Sequence, residues 1–140
     1  MVQDVLFLGY HGSVNSLINA DTITYLTKQA IRDAVVVHYF EKGETKTKDV
    51  YDLKAFSGID AYDLFLSGPT PIVKIQNASN TSGKSLVIFR DSFASSLAPL
   101  LMDEYSTITL IDLRYINIDL IDDYVAFDTQ DVLFLYSTTN

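Results

Sequence analysis

Three short apolar segments in the second half of the chain constrain its fold more than any other feature. They are residues 86–89 (LVIF), 107–111 (TITLI) and 132–136 (VLFLY). The first is continuously apolar, which is typical of a strand covered on both faces. Residues 93–102 and 120–127, which lie between these segments, have the pattern of helices. Because strands that alternate with helical segments favour right-handed crossovers, this half is predicted to be an α/β unit (β-α-β-α-β) with a parallel sheet.

The first half of the chain predicts an N-terminal helix and a β-hairpin. Asp21 is placed as an N-cap, and apolar residues recur near helical spacing through residues 21–32. Residues 34–40 are rich in β-branched and aromatic side chains, and a glycine turn and the polar residues 45–48 follow them, as in a hairpin. The other predicted elements are a weak strand or docked loop at 4–8, a short helix at 60–66 and a strand at 71–76.

Pro99 lies inside the predicted helix 93–102. A proline there removes one backbone hydrogen bond and clashes with the preceding turn. Either the helix is kinked, or residues 93–97 form one turn and a second helix starts near Pro99. The sequence leaves both alternatives open.

The length and charge limit the possible functions. A chain of 140 residues fits a single domain spanning 1–140, which we expect to be truncated at both ends. Its net charge of −8 disfavours binding to nucleic acid and to anionic membranes, and its longest apolar runs are too short for membrane insertion. The chain has no cysteine, and His11 and His38 are far apart, so we predict no metal site and no cofactor.

Polar side chains follow each of the three apolar segments. Because the carboxyl ends of parallel strands meet at one edge of a sheet, where ligands bind in open α/β folds, we expect these groups to lie together. The three clusters are Arg90, Asp91 and Ser92; Asp112, Arg114 and Tyr115; and Tyr136, Ser137 and Thr138.

Ser92 is the candidate with the most specific chemistry. It follows a strand and opens a helical turn, where unpaired backbone N–H groups could stabilise the oxyanion formed when a hydroxyl attacks an ester. The alternative is that Asp91 or Ser92 is only an N-cap.

Arg114 could hold a substrate oxygen, or it could form an ion pair with Asp112 or Asp91. His38 is interpreted as a buried or solvent-facing strand residue rather than a catalytic base.

Residues 78–85 (ASNTSGKS) satisfy the loose pattern of a phosphate-binding loop. Such a loop needs a strand before it and a helix after it, because the helix N-terminus receives the phosphate. Here a strand is predicted to follow, so nucleotide binding is not predicted. Asn77 and Asn80 also match the glycosylation pattern, which matters only in a eukaryotic secretory route.

Several segments together resemble a known family. Residues 89–101 (FRDSFASSLAPLL), 105–116 (YSTITLIDLRYI) and 131–137 (DVLFLYS) look like the C-terminal part of the bacterial DHHW proteins. Residues 50–53 and 60–68 also fit, so the resemblance covers roughly the last hundred residues. The family is similar to SGNH hydrolases and to the alginate O-acetyltransferase-like proteins that modify cell-surface polysaccharide.

The resemblance implies a three-layer, SGNH/flavodoxin-like α/β fold and a serine esterase or O-acetyltransferase activity. Ser92, in its pair with Asp91, is implied as the nucleophile, with its own N–H in the oxyanion hole. A glycan or another acetyl ester is the implied substrate, and the bacterial cell surface or the extracellular space is the implied location. Arg90, Asp112, Arg114 and Tyr115 are expected to bind the substrate.

Two departures from the family pattern reduce the expected activity. The Asp-His-His-Trp motif is absent from the sequence, and Arg90 stands where most SGNH enzymes have glycine. Because a serine hydroxyl without a nearby histidine is a poor nucleophile, we expect little or no turnover. One alternative is a non-catalytic carbohydrate-binding or scaffolding domain. Another is a Mg²⁺-binding receiver-like domain, but this chain has no lysine after its last strands, where such a domain requires one. A histidine within reach of Ser92 Oγ would distinguish the enzyme from the binding domain.

Overall fold

A mixed six-stranded sheet forms the centre of the computed structural model, which describes residues 2–7, 21–40, 43–57 and 60–138. A separate antiparallel pair, β1 (Val2–Phe7) and β2 (Asp21–Leu26), lies before it in the chain. The short helices α1 (Gln29–Arg32) and α2 (Ala94–Leu97) are the α-helices of the described residues. The strands of the large sheet are β3 (Val35–Tyr39), β4 (Thr45–Lys48), β5 (Ile72–Gln76), β6 (Ser85–Arg90), β7 (Thr107–Ile111) and β8 (Asp131–Leu135).

The strand order in the large sheet is β4-β3-β5-β7-β6-β8. β6 is parallel to both β7 and β8, as predicted from the three apolar segments, whereas β5 is antiparallel to β7 and to β3. β3, β6, β7 and β8 therefore run in the same direction, and we call the edge where they end the carboxyl edge and the opposite one the amino edge. β6 lies between β7 and β8, so the strand order reverses there, which is where open α/β sheets bind ligands.

Apolar side chains cover both faces of the sheet, which gives the predicted three layers. α2 and the 3-10 helix Ala98–Asp103 pack on one face, and the 3-10 helix Ile118–Asp123 packs on the other. The first core includes Val36, Val73, Ile88, Leu110, Ala94 and Met102, and the second includes Ile72, Val87, Phe89, Ile111, Ile121 and Val125.

The helical segments are shorter and tighter than the sequence pattern suggested. α2 is a single turn, and a 3-10 helix starts at Ala98 with Pro99 in its first turn. This confirms the second of the two alternatives, since proline is tolerated where its missing N–H would have no intrahelical partner. The predicted helices 60–66 and 120–127 are 3-10 helices, Ala61–Leu64 and Ile118–Asp123.

The predicted helix 21–32 is wrong. Asp21–Leu26 is strand β2, in which Ile23 pairs with Val5 of β1, and only Gln29–Arg32 is helical. The sequence of β2 (DTITYL) also alternates with a period of two and contains β-branched residues, so strand pairing overrides the weaker helical spacing. The predicted hairpin of β3 and β4 and the predicted strand at 71–76 are confirmed.

Among the described residues, the helices are too short or too polar to cross a membrane.

Candidate functional site

Side chains from the ends of β6 and β7 line a cavity of about 360 Å³ at the carboxyl edge, which we call the Ser92 crevice. After β6 the chain continues on one face of the sheet, and after β7 it continues on the other face. The crevice lies at the point where these two paths separate. Five of the six predicted site residues belong to it; Asp91 is the exception. The lining residues from this edge are Arg90, Ser92, Phe93, Ser95, Asp112, Arg114 and Tyr115, and the opposite wall comes from Asp60, Tyr62, Asp63, Phe65, Gly68 and Pro69.

Asp112 and Arg114 form a paired carboxylate and guanidinium in the crevice. Asp112 is fully buried, and Arg114 donates from Nε to Oδ1 (2.9 Å) and from Nη2 to Oδ2 (2.7 Å). The backbone N–H of Arg114 also donates to Oδ1, at 3.1 Å. These side-chain bonds raise the pKa of Arg114. The ion pair that the sequence left open is therefore present, and it fixes the guanidinium in one orientation.

Arg90 is a buried guanidinium that is only partly hydrogen-bonded. It is 1% exposed, and its Nη1 donates to Ser95 Oγ at 2.7 Å. Within the described residues, Nε and Nη2 have no hydrogen-bond partner. Desolvation lowers the pKa of Arg90, although the negative charge of Asp112 opposes that shift. Unused donors in a buried cation are costly, so this group is a candidate for contacting a ligand or a water molecule in the crevice.

Asp91 does not line the crevice but organises the turn beneath it. Its Oδ1 accepts from the N–H of Phe93 (3.0 Å), and its Oδ2 accepts from the N–H of Ser137 (2.6 Å). Partial desolvation opposes the shift, but the hydrogen bonds from Ser137 and Phe93 lower the pKa of Asp91 overall. The carboxylate thus caps the turn after β6 and ties it to the end of β8. A direct catalytic role for Asp91 stays a prediction.

Ser92 is exposed, and within the described part of the chain its hydroxyl has no hydrogen-bond partner.

His38 is fully buried in β3, and β5 and β7 lie between β3 and β6. Its Nδ1 lies 2.8 Å from Thr70 Oγ1, and desolvation, aided by Lys48 and Arg90, lowers its pKa to about 4. His11 lies outside the described residues. No described histidine therefore hydrogen-bonds to Ser92.

The sequence did not predict Ser95 or Tyr62 as crevice residues. Ser95 follows Ser92 by three positions in a helical turn, a spacing that could have identified it. The Tyr62 hydroxyl lies 2.9 Å from Ser96 Oγ and 3.3 Å from the Phe93 carbonyl oxygen, so it holds the 60–69 segment against α2. Nothing in the local pattern around Tyr62 indicates that contact.

The opposite wall of the crevice depends on an unusual turn. Leu66 and Ser67 both have φ of 55°, and Gly68 has φ of 85°. A Cβ atom at Gly68 would lie 2.7 Å from Asp63 Oδ1, so glycine is required there by both conformation and space. Desolvation and the nearby Asp60 raise the pKa of Asp63. Asp60 and Asp63 line the same crevice as Arg90 and Arg114.

In the ranges that the structure describes, no group of three or more His, Cys, Asp or Glu side chains is placed to hold a metal ion.

The fold matches solved bacterial structures. Bacillus cereus PatB1 is 20% identical, with a TM-score of 0.71 over 98% of this chain and 48% of that chain. A structure of PatB1 with a sulfonyl adduct is 18% identical, with a TM-score of 0.65 over 97% of this chain and 46% of that one. A DHHW family protein from Eubacterium siraeum DSM 15702 is 28% identical, with a TM-score of 0.63 over 83% of this chain and 38% of that one. No family model matches the chain, and a search of curated proteins finds no match.

The chain spans less than half the length of each of these solved proteins. The similarity to PatB1 supports the predicted α/β fold, and the similarity to the Eubacterium siraeum protein supports the resemblance drawn from residues 89–137. This chain therefore has an α/β fold that PatB1 shares, and it resembles the DHHW proteins.

Proposed function

We propose that this chain carries the nucleophile of a serine acyl-transfer site, in an SGNH-like esterase or O-acetyltransferase-type domain. The observation that carries the proposal is the Ser92 hydroxyl, which is exposed and has no hydrogen-bond partner among the described residues. It lies in a crevice with Arg90 and Arg114, at the reversal of strand order. The acetyltransferase-like fold shared with PatB1 supports it. The acetyl ester of a bacterial cell-surface polysaccharide is the proposed substrate, on the strength of the resemblance.

The proposed reaction begins when Ser92 Oγ attacks the acetyl carbonyl and gives its proton to a base. The tetrahedral oxyanion accepts a hydrogen bond from the backbone N–H of Ser92. Its collapse breaks the bond to the sugar oxygen, which leaves as a hydroxyl after protonation. The acetyl group on Ser92 then passes to water or to another sugar hydroxyl. Arg114, held by Asp112, and Tyr115 line the path of the sugar.

We further propose that the chain by itself is inactive because its site is incomplete. A serine hydroxyl needs an adjacent base to become a useful nucleophile. His38 is engaged with Thr70, and β5 and β7 separate its strand from β6, so it does not fill that role. In the part of the chain that the structure describes, the serine and its pocket are then present without a histidine that would activate the hydroxyl.

A diffusible base tests both parts of the proposal. In buffer alone, p-nitrophenyl acetate hydrolysis by the chain is expected to equal that of the Ser92→Ala variant. With added imidazole, the chain is expected to exceed Ser92→Ala after subtraction of the imidazole background, because Ser92 is exposed and imidazole can reach it. Ser79→Ala is the matched control, since Ser79 is an exposed serine at the amino edge.

Two results would contradict the proposal in different ways. A Ser92-dependent rate in buffer alone would contradict the expected inactivity. Equal rates for the chain and Ser92→Ala at every imidazole concentration would contradict the nucleophile role. That second result would favour the other candidate, a non-catalytic carbohydrate-binding or scaffolding domain, which the lack of a described histidine near Ser92 also favours.

A further inference from the structure

A second, larger cavity adjoins the Ser92 crevice at the carboxyl edge. Its volume is about 770 Å³, within the range of roughly 300–1,000 Å³ that is usual for small-ligand sites. It lies on the face of the sheet that carries Ile72 and Tyr124, opposite the face covered by α2. We call this cavity the aromatic cleft, and the residues that matter here are Tyr39, Phe40, Arg114, Tyr115, Asn117 and Tyr124.

The aromatic side chains of the cleft are held in place by contacts with one another and with cations. The rings of Tyr39 and Tyr124 meet edge to face, with centroids 5.9 Å apart and an angle of 74° between planes. The Arg114 guanidinium lies 5.4 Å from the centre of the Tyr115 ring, and Lys74 Nζ lies 5.9 Å from that of Tyr39. These contacts restrict ring motion, so less conformational entropy is lost when a ligand binds.

The polar groups of the cleft are available to a ligand. In the part of the chain that the structure describes, the hydroxyl groups of Tyr39, Tyr115 and Tyr124 have no hydrogen-bond partner. Each tyrosine therefore offers an apolar ring beside an unused donor and acceptor. Asn117 uses its Oδ1 to accept from the N–H of Asp119 at 3.2 Å, and its amide N–H groups are not engaged in that bond.

A sugar ring matches this combination of groups. The C–H faces of a pyranose are apolar and can lie on aromatic rings, while its rim of hydroxyls can exchange hydrogen bonds with tyrosine hydroxyls and an amide. Arg114 is already neutralised by Asp112, and the chain carries a net charge of −8, so the cleft is unsuited to a polyanion. The groups present therefore favour a neutral saccharide.

The cleft adjoins the proposed catalytic crevice, because Arg114 and Tyr115 line both cavities. We propose that the aromatic cleft is a binding subsite for neutral glycan, which holds the saccharide so that an acyl ester on it reaches Ser92. The second part of this inference rests on the proposed function, whereas saccharide binding by the cleft does not.

Saccharide binding can be measured directly by titration calorimetry and by amide chemical shifts. The probes are cellotetraose and chitotetraose, which are uncharged. A tetramer of mannuronate, which carries carboxylates, is the charged comparison. We expect at least one of the first two probes to bind, and the mannuronate tetramer to bind more weakly. Amide shifts are expected at Tyr39, Asn117 and Tyr124.

Variants of exposed residues locate the binding. Tyr115→Ala removes a ring, and Leu120→Trp fills the cleft; because both side chains are exposed, at 43% and 49%, these variants are expected to fold. Each should weaken binding by about tenfold or more, given the contribution of an aromatic contact. Tyr136→Ala is the matched control, since Tyr136 is 47% exposed but does not line the cleft, and it should change affinity by less than about twofold.

Three results would overturn the inference: no binding of either cellotetraose or chitotetraose, affinity unchanged in both Tyr115→Ala and Leu120→Trp, or tighter binding of the mannuronate tetramer. Ser92→Ala separates this inference from the proposed function, because it should bind the saccharide as the unmodified chain does. Saccharide binding with no Ser92-dependent hydrolysis at any imidazole concentration would leave the cleft assigned and the acyl-transfer proposal rejected. Ser92-dependent hydrolysis without saccharide binding would support the acyl-transfer proposal and reject the assignment of the cleft.

Discussion

The two edges of the six-stranded sheet are both rich in polar residues, but they use them differently. At the amino edge, Asn77 is 5% exposed; its Nδ2 donates to the Met102 carbonyl (3.1 Å), and its Oδ1 accepts from the N–H of Ser79 (3.0 Å). Asn80 donates to the carbonyls of Met102 and Asp103. At the carboxyl edge, by contrast, Arg90 has two donor nitrogens without a partner among the described residues.

This difference separates a structural turn from a candidate binding site. The amino-edge turn contains the phosphate-loop-like residues 78–85, and its polar groups are used to join β5 and β6 to the Ala98–Asp103 segment. The carboxyl edge keeps donors and a hydroxyl that the described fold does not use. Since buried polar groups are normally satisfied, the unused ones mark the edge where a ligand is expected.

The largest expected effect is at Asp112, the buried carboxylate of the carboxyl edge. Asp112→Ala leaves both Arg114 and the buried Arg90 without their negative partner, so we expect the free energy of unfolding to fall by about 3–5 kcal/mol. Urea unfolding measures this. Asp103→Ala, which breaks the exposed ion pair with Lys28 at the amino edge, should cost less than about 1 kcal/mol. Equal losses of unfolding free energy in Asp112→Ala and Asp103→Ala would contradict the difference between the two edges.

His38, near the carboxyl end of β3, is expected to make the free energy of unfolding depend on pH. Its pKa is about 4 in the folded chain and 6.5 when unfolded, so the unfolded chain binds more protons between these values. The His38 contribution is complete above pH 6.5 and is lost as the pH falls to about 4, by up to roughly 3 kcal/mol. Urea unfolding from pH 7 to pH 4 should show this slope, and His38→Gln should reduce it. An identical slope in His38→Gln would contradict the assignment.

At the amino edge, Asn77→Ala is expected to lower the free energy of unfolding by about 1–3 kcal/mol, because the Met102 carbonyl and the Ser79 N–H lose their partner. Thermal and urea unfolding measure the change. Ser79→Ala, at an exposed position in the same turn, should stay within about 0.5 kcal/mol of the unmodified chain. If Asn77→Ala were equally neutral, the amino-edge network would not be structural.

The smallest effect is expected for Arg90→Met. The variant loses one hydrogen bond to Ser95 but also removes a buried, incompletely paired charge, so stability should change by no more than about 1 kcal/mol in either direction. Asp112→Ala should also cost less in the Arg90→Met background than by itself, because no buried guanidinium is left unpaired. A large loss for Arg90→Met, with additive effects in the double variant, would show that the guanidinium is structurally satisfied.

The sequence predicted the parallel strands and the crevice residues for a physical reason. Residues 86–89 are apolar on both faces, which is typical of a covered strand, and the ends of parallel strands necessarily share an edge. Ser92 and Arg114 could therefore be placed together from the order of residues along the chain. The opposite wall could not be predicted, because the position of Tyr62 and the turn at Gly68 depends on packing between segments about 30 residues apart.

The errors have equally specific causes. Residues 21–26 satisfy both a helical spacing and a strand alternation, and only pairing with β1 decides between them. The insertion of β5 between β3 and β7 is a long-range pairing that no local pattern encodes. The predicted helix 93–102 is one α-helical turn followed by a 3-10 helix that begins beside Pro99, and residues 118–123 of the second predicted helix region are also a 3-10 helix.

The most direct test of the carboxyl-edge assignment is the position of a transferred acetyl group. The chain is incubated with p-nitrophenyl acetate and imidazole, quenched, and mapped by peptide mass spectrometry. We expect an acetyl group on Ser92 well in excess of that on Ser79, which is also exposed but belongs to the amino-edge turn. Acetylation of Ser79 and other exposed serines with Ser92 unmodified would contradict the account.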